Sequence, residues 1–292
     1  MSSIDRRDFL RTGLAASASL LAVGGGFNLY ANPYGLPVGL QLYTVRQQLQ
    51  ADFAGTLHKV ASIGYKEMEF AGFDKETIPQ VKQLLQADGL TAPSAHFGYQ
   101  QLESNLPALL EDAHALGLRY IVLASLPDSL RHSVDTYKRA AGFLNKTGEQ
   151  CKKSGIHFAY HNHNRDFEKF NDVIAFDLLL QNTDPAFVNF EMDCFWVMRA
   201  GYDPVAYMDK YPGRFPLLHI KDERRHYPPT ATGPTPSTLF APVGRGIIDW
   251  KRIFKAARKG GLKHYFVEQD QCELPPFQAI QISYNYLHHL TV

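Results

Sequence analysis

The chain has 292 residues, 45% of them hydrophobic and 20% charged, and its 30 Lys and Arg against 29 Asp and Glu leave a formal charge of +1. That balance excludes the basic excess of a dedicated nucleic-acid binder and the charge-rich composition of a disordered chain. Cys151, Cys194 and Cys272 are too few to close a disulfide framework and lack Cys-x-x-Cys spacing.

The first segment reads as an address rather than as fold. Asp5-Arg6-Arg7-Asp8-Phe9-Leu10-Arg11 precedes an apolar run from Leu14 to Gly26 that is rich in Ala, Ser and Leu. A paired arginine before a mildly hydrophobic stretch resembles a twin-arginine export signal, and the run is too short and glycine-rich for a stable membrane span. Residues 1–31 are therefore expected to direct export to the periplasm, with residues 32–292 forming one domain. Removing Arg6, Arg7, Arg11, Asp5 and Asp8 leaves 27 basic and 27 acidic residues, a net charge of zero.

From Pro37 onward, short apolar runs alternate with segments of helical period. Strands are expected at Val38–Tyr43, Tyr65–Phe70, Thr91–His96, Tyr120–Ala124, His157–His161, Val188–Asp193, Leu217–Ile220 and Tyr265–Glu268. The helices between and after them are expected at Asp52–Ile63, Lys75–Ala87, Asn105–Leu116, Val134–Lys153, Val173–Gln181, Pro204–Lys210, Trp250–Lys259 and Pro275–Leu290. Gly64, Gly89, Gly117, Gly155 and Gly261 each stand between a helix and the next strand, where helices commonly end. Eight such units in about 250 residues predict an α/β fold, a single-domain (β/α)8 TIM barrel. A doubly wound sheet would carry a glycine-rich phosphate turn after its first strand, whereas Gln41-Leu42-Tyr43-Thr44-Val45-Arg46 has no glycine. The stretch Asp222–Ile248 is long for a strand-to-helix loop and is expected to overhang the C-terminal face, where barrel active sites lie.

Chemistry-bearing residues collect at the strand ends: Glu69, His96, His161 and His163, Asp193, His219 and Lys221, and Glu268. Side chains alternate inward and outward along a barrel strand, so His161 pairs with His163, Glu191 with Asp193, and His219 with Lys221 on one face. Converging carboxylates repel unless a cation or proton sits among them, and imidazoles with carboxylates suit Mn²⁺, Co²⁺, Zn²⁺ or Fe²⁺. This pattern predicts a divalent-metal site.

The segments YHNHNRDFE, FEMDCFWVMRAGYDPV, LHIKD and YFVEQD resemble the sugar phosphate isomerase/epimerase superfamily, the xylose isomerase-like barrels, and within it the inosose-dehydratase and keto-sugar-processing branch. The resemblance implies one metal ion, Mn²⁺ or Co²⁺ foremost with Zn²⁺, Mg²⁺ or Fe²⁺ as alternatives, held by His161, Asp193, His219 and Glu268. His161 stands where many epimerases of the family have a glutamate that doubles as a base, which weighs against two-base epimerisation. The resemblance also implies a carbohydrate substrate and, in some members, homodimer formation, while the neutral charge and the export signal speak against nucleic acid.

Such a metal polarises a carbonyl and a neighbouring hydroxyl, and a base then removes the adjacent proton. Glu268, His163 and Glu69 are candidate bases, and Lys221 is the candidate electrostatic stabiliser or leaving-group acid, with Asp222 to orient it. His96 and Trp196 are expected to contact sugar. Glu168 and Arg225, with Arg224, lie where the family often places substrate-binding groups. Isomerisation or elimination on a keto-sugar or keto-glycoside is the expected outcome. The rivals are epimerisation, a barrel endonuclease, disfavoured by the neutral charge, and a catalytically idle periplasmic sugar- or metal-binding protein.

Overall fold

The computed structural model describes residues 32–72 and 77–292. The export segment 1–31 and the expected helix start at Lys75 lie outside them. Eight parallel strands close a barrel in sequential order: β1 Gly39–Gln41, β2 Glu67–Phe70, β3 Thr91–Phe97, β4 Tyr120–Leu123, β5 His157–His161, β6 Val188–Asp193, β7 Leu217–Ile220 and β8 His264–Val267. The expected single-domain TIM barrel is the fold observed. Among the described residues, no helix is long and apolar enough to cross a membrane.

The barrel is filled in layers. Tyr120, Val122, Ala159, Leu217 and Phe266 form a buried cluster of their own inside it. The larger core lies where outward-facing residues such as Leu40, Met68, Ile121, Phe158, Phe190, Leu218 and Tyr265 join buried helix side chains. Two residues further along, the inward position turns polar on β5, β7 and β8 but not on β4. Val122 is followed by Ala124, but Ala159 is followed by His161, Leu217 by His219 and Phe266 by Glu268. Strand register sets Glu69 beside Ser94, His161 beside Glu191, and Asp193 beside His219. At the seam, Gly39 pairs with Phe266, and a Cβ there would meet the Phe266 ring at 2.5 Å and the Tyr265 carbonyl at 2.7 Å. A glycine lets β1 close on β8 around that ring.

Element ends depart from expectation where local hydrogen bonds intervene. β1 stops at Gln41 because its Oε1 accepts the Tyr43 N–H (3.0 Å), turning Leu42–Val45 into a 3-10 helix. The helix after β3 spans Tyr99–Leu116 and starts before Asn105, which instead marks a break in it two residues ahead of Pro107. Val173–Ile174 pairs with Lys169–Phe170, so the following helix is Ala175–Asn182. Two short helices, Arg46–Ala51 and Cys194–Arg199, were not expected.

The long connection after β7 is ordered by two buried polar side chains. Asp222 accepts backbone N–H groups of Glu223, Gly244, Gly246 and Ile248 and the Trp250 indole N–H, at 2.9–3.2 Å. Arg199 donates to the carbonyls of Pro228 (2.6 Å) and Pro234 (2.9 Å) and accepts the Thr230 N–H on its own carbonyl. The connection therefore packs on segments that follow β5 and β6, at the C-terminal end of the barrel.

Candidate active site

Four side chains from consecutive strand ends converge above the apolar layer. His161 Nε2 and His219 Nδ1 each lie 3.9 Å from Asp193 Oδ2, and His219 Nδ1 lies 2.8 Å from Glu268 Oε2. Asp193 splits its oxygens: Oδ1 accepts the Trp196 N–H (2.9 Å) and caps the helix Cys194–Arg199, while buried Oδ2 faces Lys221 Nζ at 3.0 Å. Burial pushes the Asp193 carboxyl up, against the lowering influence of Lys221 and His219. Burial also opposes the Glu268 charge, but Lys221 and His219 outweigh it and hold that carboxyl well below the usual range.

Behind these groups lies a second polar tier. Glu69 Oε1 is 2.6 Å from His219 Nε2 and accepts from Gln41 Nε2 (2.9 Å), while Oε2 accepts from Ser94 Oγ. Glu191 Oε2 is 2.6 Å from His96 Nε2, 3.1 Å from His161 Nδ1 and 3.2 Å from His219 Nε2. Burial works against a charged His96, but Glu69 and Glu191 overcome it and raise the imidazole to about 10.

Lys221 faces the other side of the His161, Asp193, His219 and Glu268 cluster. Its Nζ is 3.0 Å from Asp193 Oδ2, 2.9 Å from Glu268 Oε2 and 2.8 Å from Asp270 Oδ1. Three carboxylates override the cost of burial and hold its proton firmly. Asp222, expected to orient Lys221, instead anchors the following loop, and Asp270 takes that place. Lys221 Nζ also stands 5.2 Å from the Trp196 ring centroid.

Gln41, Tyr43, Ala71, His96, Ala124, Ser125, His161, His163, Lys221, Glu268 and Asp270 line a pocket of about 420 Å³ at this end of the barrel, a volume suited to a small ligand. His163 Nδ1 is buried without a partner, and burial together with the Lys221 charge lowers its imidazole to about 3, so the ring is neutral. The structure thus brings His96, His161, His163, Asp193, His219, Lys221 and Glu268 together, with Trp196 packed against His163 at 5.7 Å between ring centroids. Glu69 belongs to the same cluster but sits behind His219, fully buried and away from the pocket lining. Glu168 and Arg225 are not among the lining residues; exposed Arg225 donates to Tyr227 Oη and Arg224 pairs with Glu273. Glu191, Asp270, Gln41 and Ser125 are the site residues that sequence reasoning left without a role.

The donor set suits a divalent metal. Among the described residues, ligand atoms of Asp193, His219 and Glu268 lie close enough together to hold an ion, as do those of His96, His161, Glu191 and His219, and His161 Nε2 stands 3.9 Å from Asp193 Oδ2.

Residues 57–283 match the family model described as xylose isomerase-like TIM barrel. The inosose dehydratase of Clostridium beijerinckii is 24% identical over 269 residues, covering 82% of this chain and 90% of that enzyme. A crystal structure of a sugar phosphate isomerase/epimerase from Parabacteroides distasonis is 27% identical, with a TM-score of 0.74 over 92% of this chain and 98% of the other. The IolI protein, solved with a bound zinc atom, shares the fold at 16% identity and a TM-score of 0.67, covering 86% of this chain and 96% of its own. The fold agrees and the matched span covers most of the chain: the chain belongs to the xylose isomerase-like TIM barrel family.

Proposed function

We propose that this protein is a divalent-metal-dependent sugar lyase or isomerase that removes a proton next to the carbonyl of a neutral keto-sugar or keto-glycoside. The observation that carries the reading is the convergence of His161, Asp193, His219 and Glu268 beside a pocket that also holds a neutral imidazole and a charged amine. A divalent ion held by those four residues supplies Lewis acidity, polarising a carbonyl and lowering the barrier to loss of the neighbouring proton.

The chain's own residues supply the rest. His163, a neutral ring with Nδ1 unpartnered, and Glu268, a carboxylate, are the candidate bases, with burial and the Lys221 charge weighing against His163. Lys221, kept protonated by Asp193, Glu268 and Asp270, donates to an oxygen that gains negative charge, whether a leaving hydroxyl or a carbonyl. Elimination and isomerisation each need one base and a group that stabilises the oxygen gaining charge, and His163 or Glu268 with Lys221 are the residues placed for those roles. Epimerisation wants bases on both faces of the reacting carbon, and an imidazole replaces one carboxylate at position 161. The names borne by the inosose dehydratase relatives support the lyase outcome.

Among the described lining residues there is no arginine, and the one lysine already faces three carboxylates. That charge pattern favours a neutral substrate over a sugar phosphate. The reading includes export to the periplasm through residues 1–31, on the strength of the Arg6-Arg7 pair. Incubation with keto-sugars, cyclic keto-polyols and keto-glycosides in D₂O with Mn²⁺ or Co²⁺ tests the chemistry. An unsaturated ketone or a deuterated isomer is expected. Inversion at a single deuterated carbon would make the enzyme an epimerase, and no proton exchange with metal bound would leave a binding protein.

A further inference from the structure

We infer that Glu191 and Glu69 are positioning residues that fix which ring nitrogen of His161 and His219 faces the metal-binding side. The inference rests on the metal reading above and extends it one layer deeper into the barrel. Each imidazole presents one nitrogen to each tier. His161 turns Nε2 toward Asp193 (3.9 Å) and Nδ1 toward Glu191 Oε2 (3.1 Å). His219 turns Nδ1 toward Asp193 (3.9 Å) and Glu268 (2.8 Å), and Nε2 toward Glu69 Oε1 (2.6 Å).

A neutral imidazole has one N–H and one lone pair, and a carboxylate oxygen can only accept. The nitrogen facing Glu191 therefore carries the hydrogen and leaves the His161 lone pair on Nε2; His219 stands between two carboxylates, and a metal shared with Glu268 would take its Nδ1 lone pair while Nε2 keeps its hydrogen toward Glu69. Both positioning carboxylates are fully buried, so water does not compete for these N–H groups. Glu69 is itself held by Gln41 and Ser94. Glu191 also takes His96 Nε2 (2.6 Å), so a ring that lines the pocket shares its anchor with a metal ligand. Glu69 thus serves through His219 rather than as a base that meets substrate.

Titration of the metal-free full chain with Co²⁺, read by visible absorption and by competition with a chelator, tests this without any turnover. Glu191→Gln and Glu69→Gln are expected to weaken Co²⁺ binding by roughly 10- to 100-fold and to change the absorption band, because each amide leaves an imidazole poorly oriented. Glu67→Gln is the control: Glu67 lies on the same strand as Glu69 but pairs with His264 (2.8 Å) at the opposite end of the barrel, so affinity and spectrum should be unchanged. Unaltered Co²⁺ affinity and spectrum in folded Glu191→Gln or Glu69→Gln would overturn the inference. Glu191→Gln reads His161 and, at 3.2 Å, also touches His219, whereas Glu69→Gln reads His219 without His161, so loss of folding in one leaves the other decisive. Absence of Co²⁺ binding by the unmodified chain would instead overturn the metal reading.

Discussion

Lys221 shows how one side chain takes its properties from three others. With Asp193, Glu268 and Asp270 each within 3.0 Å, its ammonium is neutralised locally and cannot act as a base. In the proposed reaction its value lies in stabilising negative charge that develops on an oxygen. Lys221→Ala is therefore expected to lower kcat about 100-fold or more while moving KM far less, which steady-state kinetics on the identified substrate would show. A change confined to KM would make Lys221 a binding residue. At this scale the convergence was legible, because strand parity puts His161, Asp193 and His219 on inward faces, while their proposed ligand role, with Glu268, was implied by the family resemblance. Glu191 was visible only as the inward partner of Asp193. That rings from β3, β5 and β7 meet at its Oε2 is a property of strand stagger, which a linear sequence does not display. Asp270 was hidden differently, since its contact with Lys221 depends on the course of the chain beyond β8. Loop direction likewise takes Glu168 and Arg225 away from the pocket.

Elements were legible in number and order, and less so at their edges. Apolar periodicity marks what a strand or helix buries, but Gln41 ends β1 through a single side-chain bond, and Asp193 starts a helix that periodicity alone does not announce. The connection after β7 was expected to overhang the site, and Asp222 and Arg199 are what hold it there. Asp222 gathers four backbone amides and an indole N–H, so Asp222→Ala strands several buried donors at once. A loss of about 1–3 kcal/mol in stability is expected, the penalty of leaving buried donors unpaired. Thermal unfolding would register the loss, and limited proteolysis should open new cleavage sites between residues 224 and 238. Far-reaching collapse of the barrel in this variant would show that the connection is part of the core rather than an addition to it.

For the molecule as a whole, eight strand-helix units in the right length were enough to predict closure, because parallel strands with apolar faces on both sides must be covered by helices outside and filled within. The first 31 residues carry a separate prediction. Replacing Arg6 and Arg7 by lysine should retain the protein in the cytoplasm, as cell fractionation would show, and an unchanged distribution would remove the export proposal. The apolar layer of Tyr120, Val122, Ala159, Leu217 and Phe266 has a kinetic meaning of its own. It floors the chamber, so the barrel is a cul-de-sac with one mouth, and reactant and product must use the same doorway in turn. Release then precedes every new capture, and the spent molecule should act as a simple competitive inhibitor, raising apparent KM without lowering the maximal rate at saturating reactant.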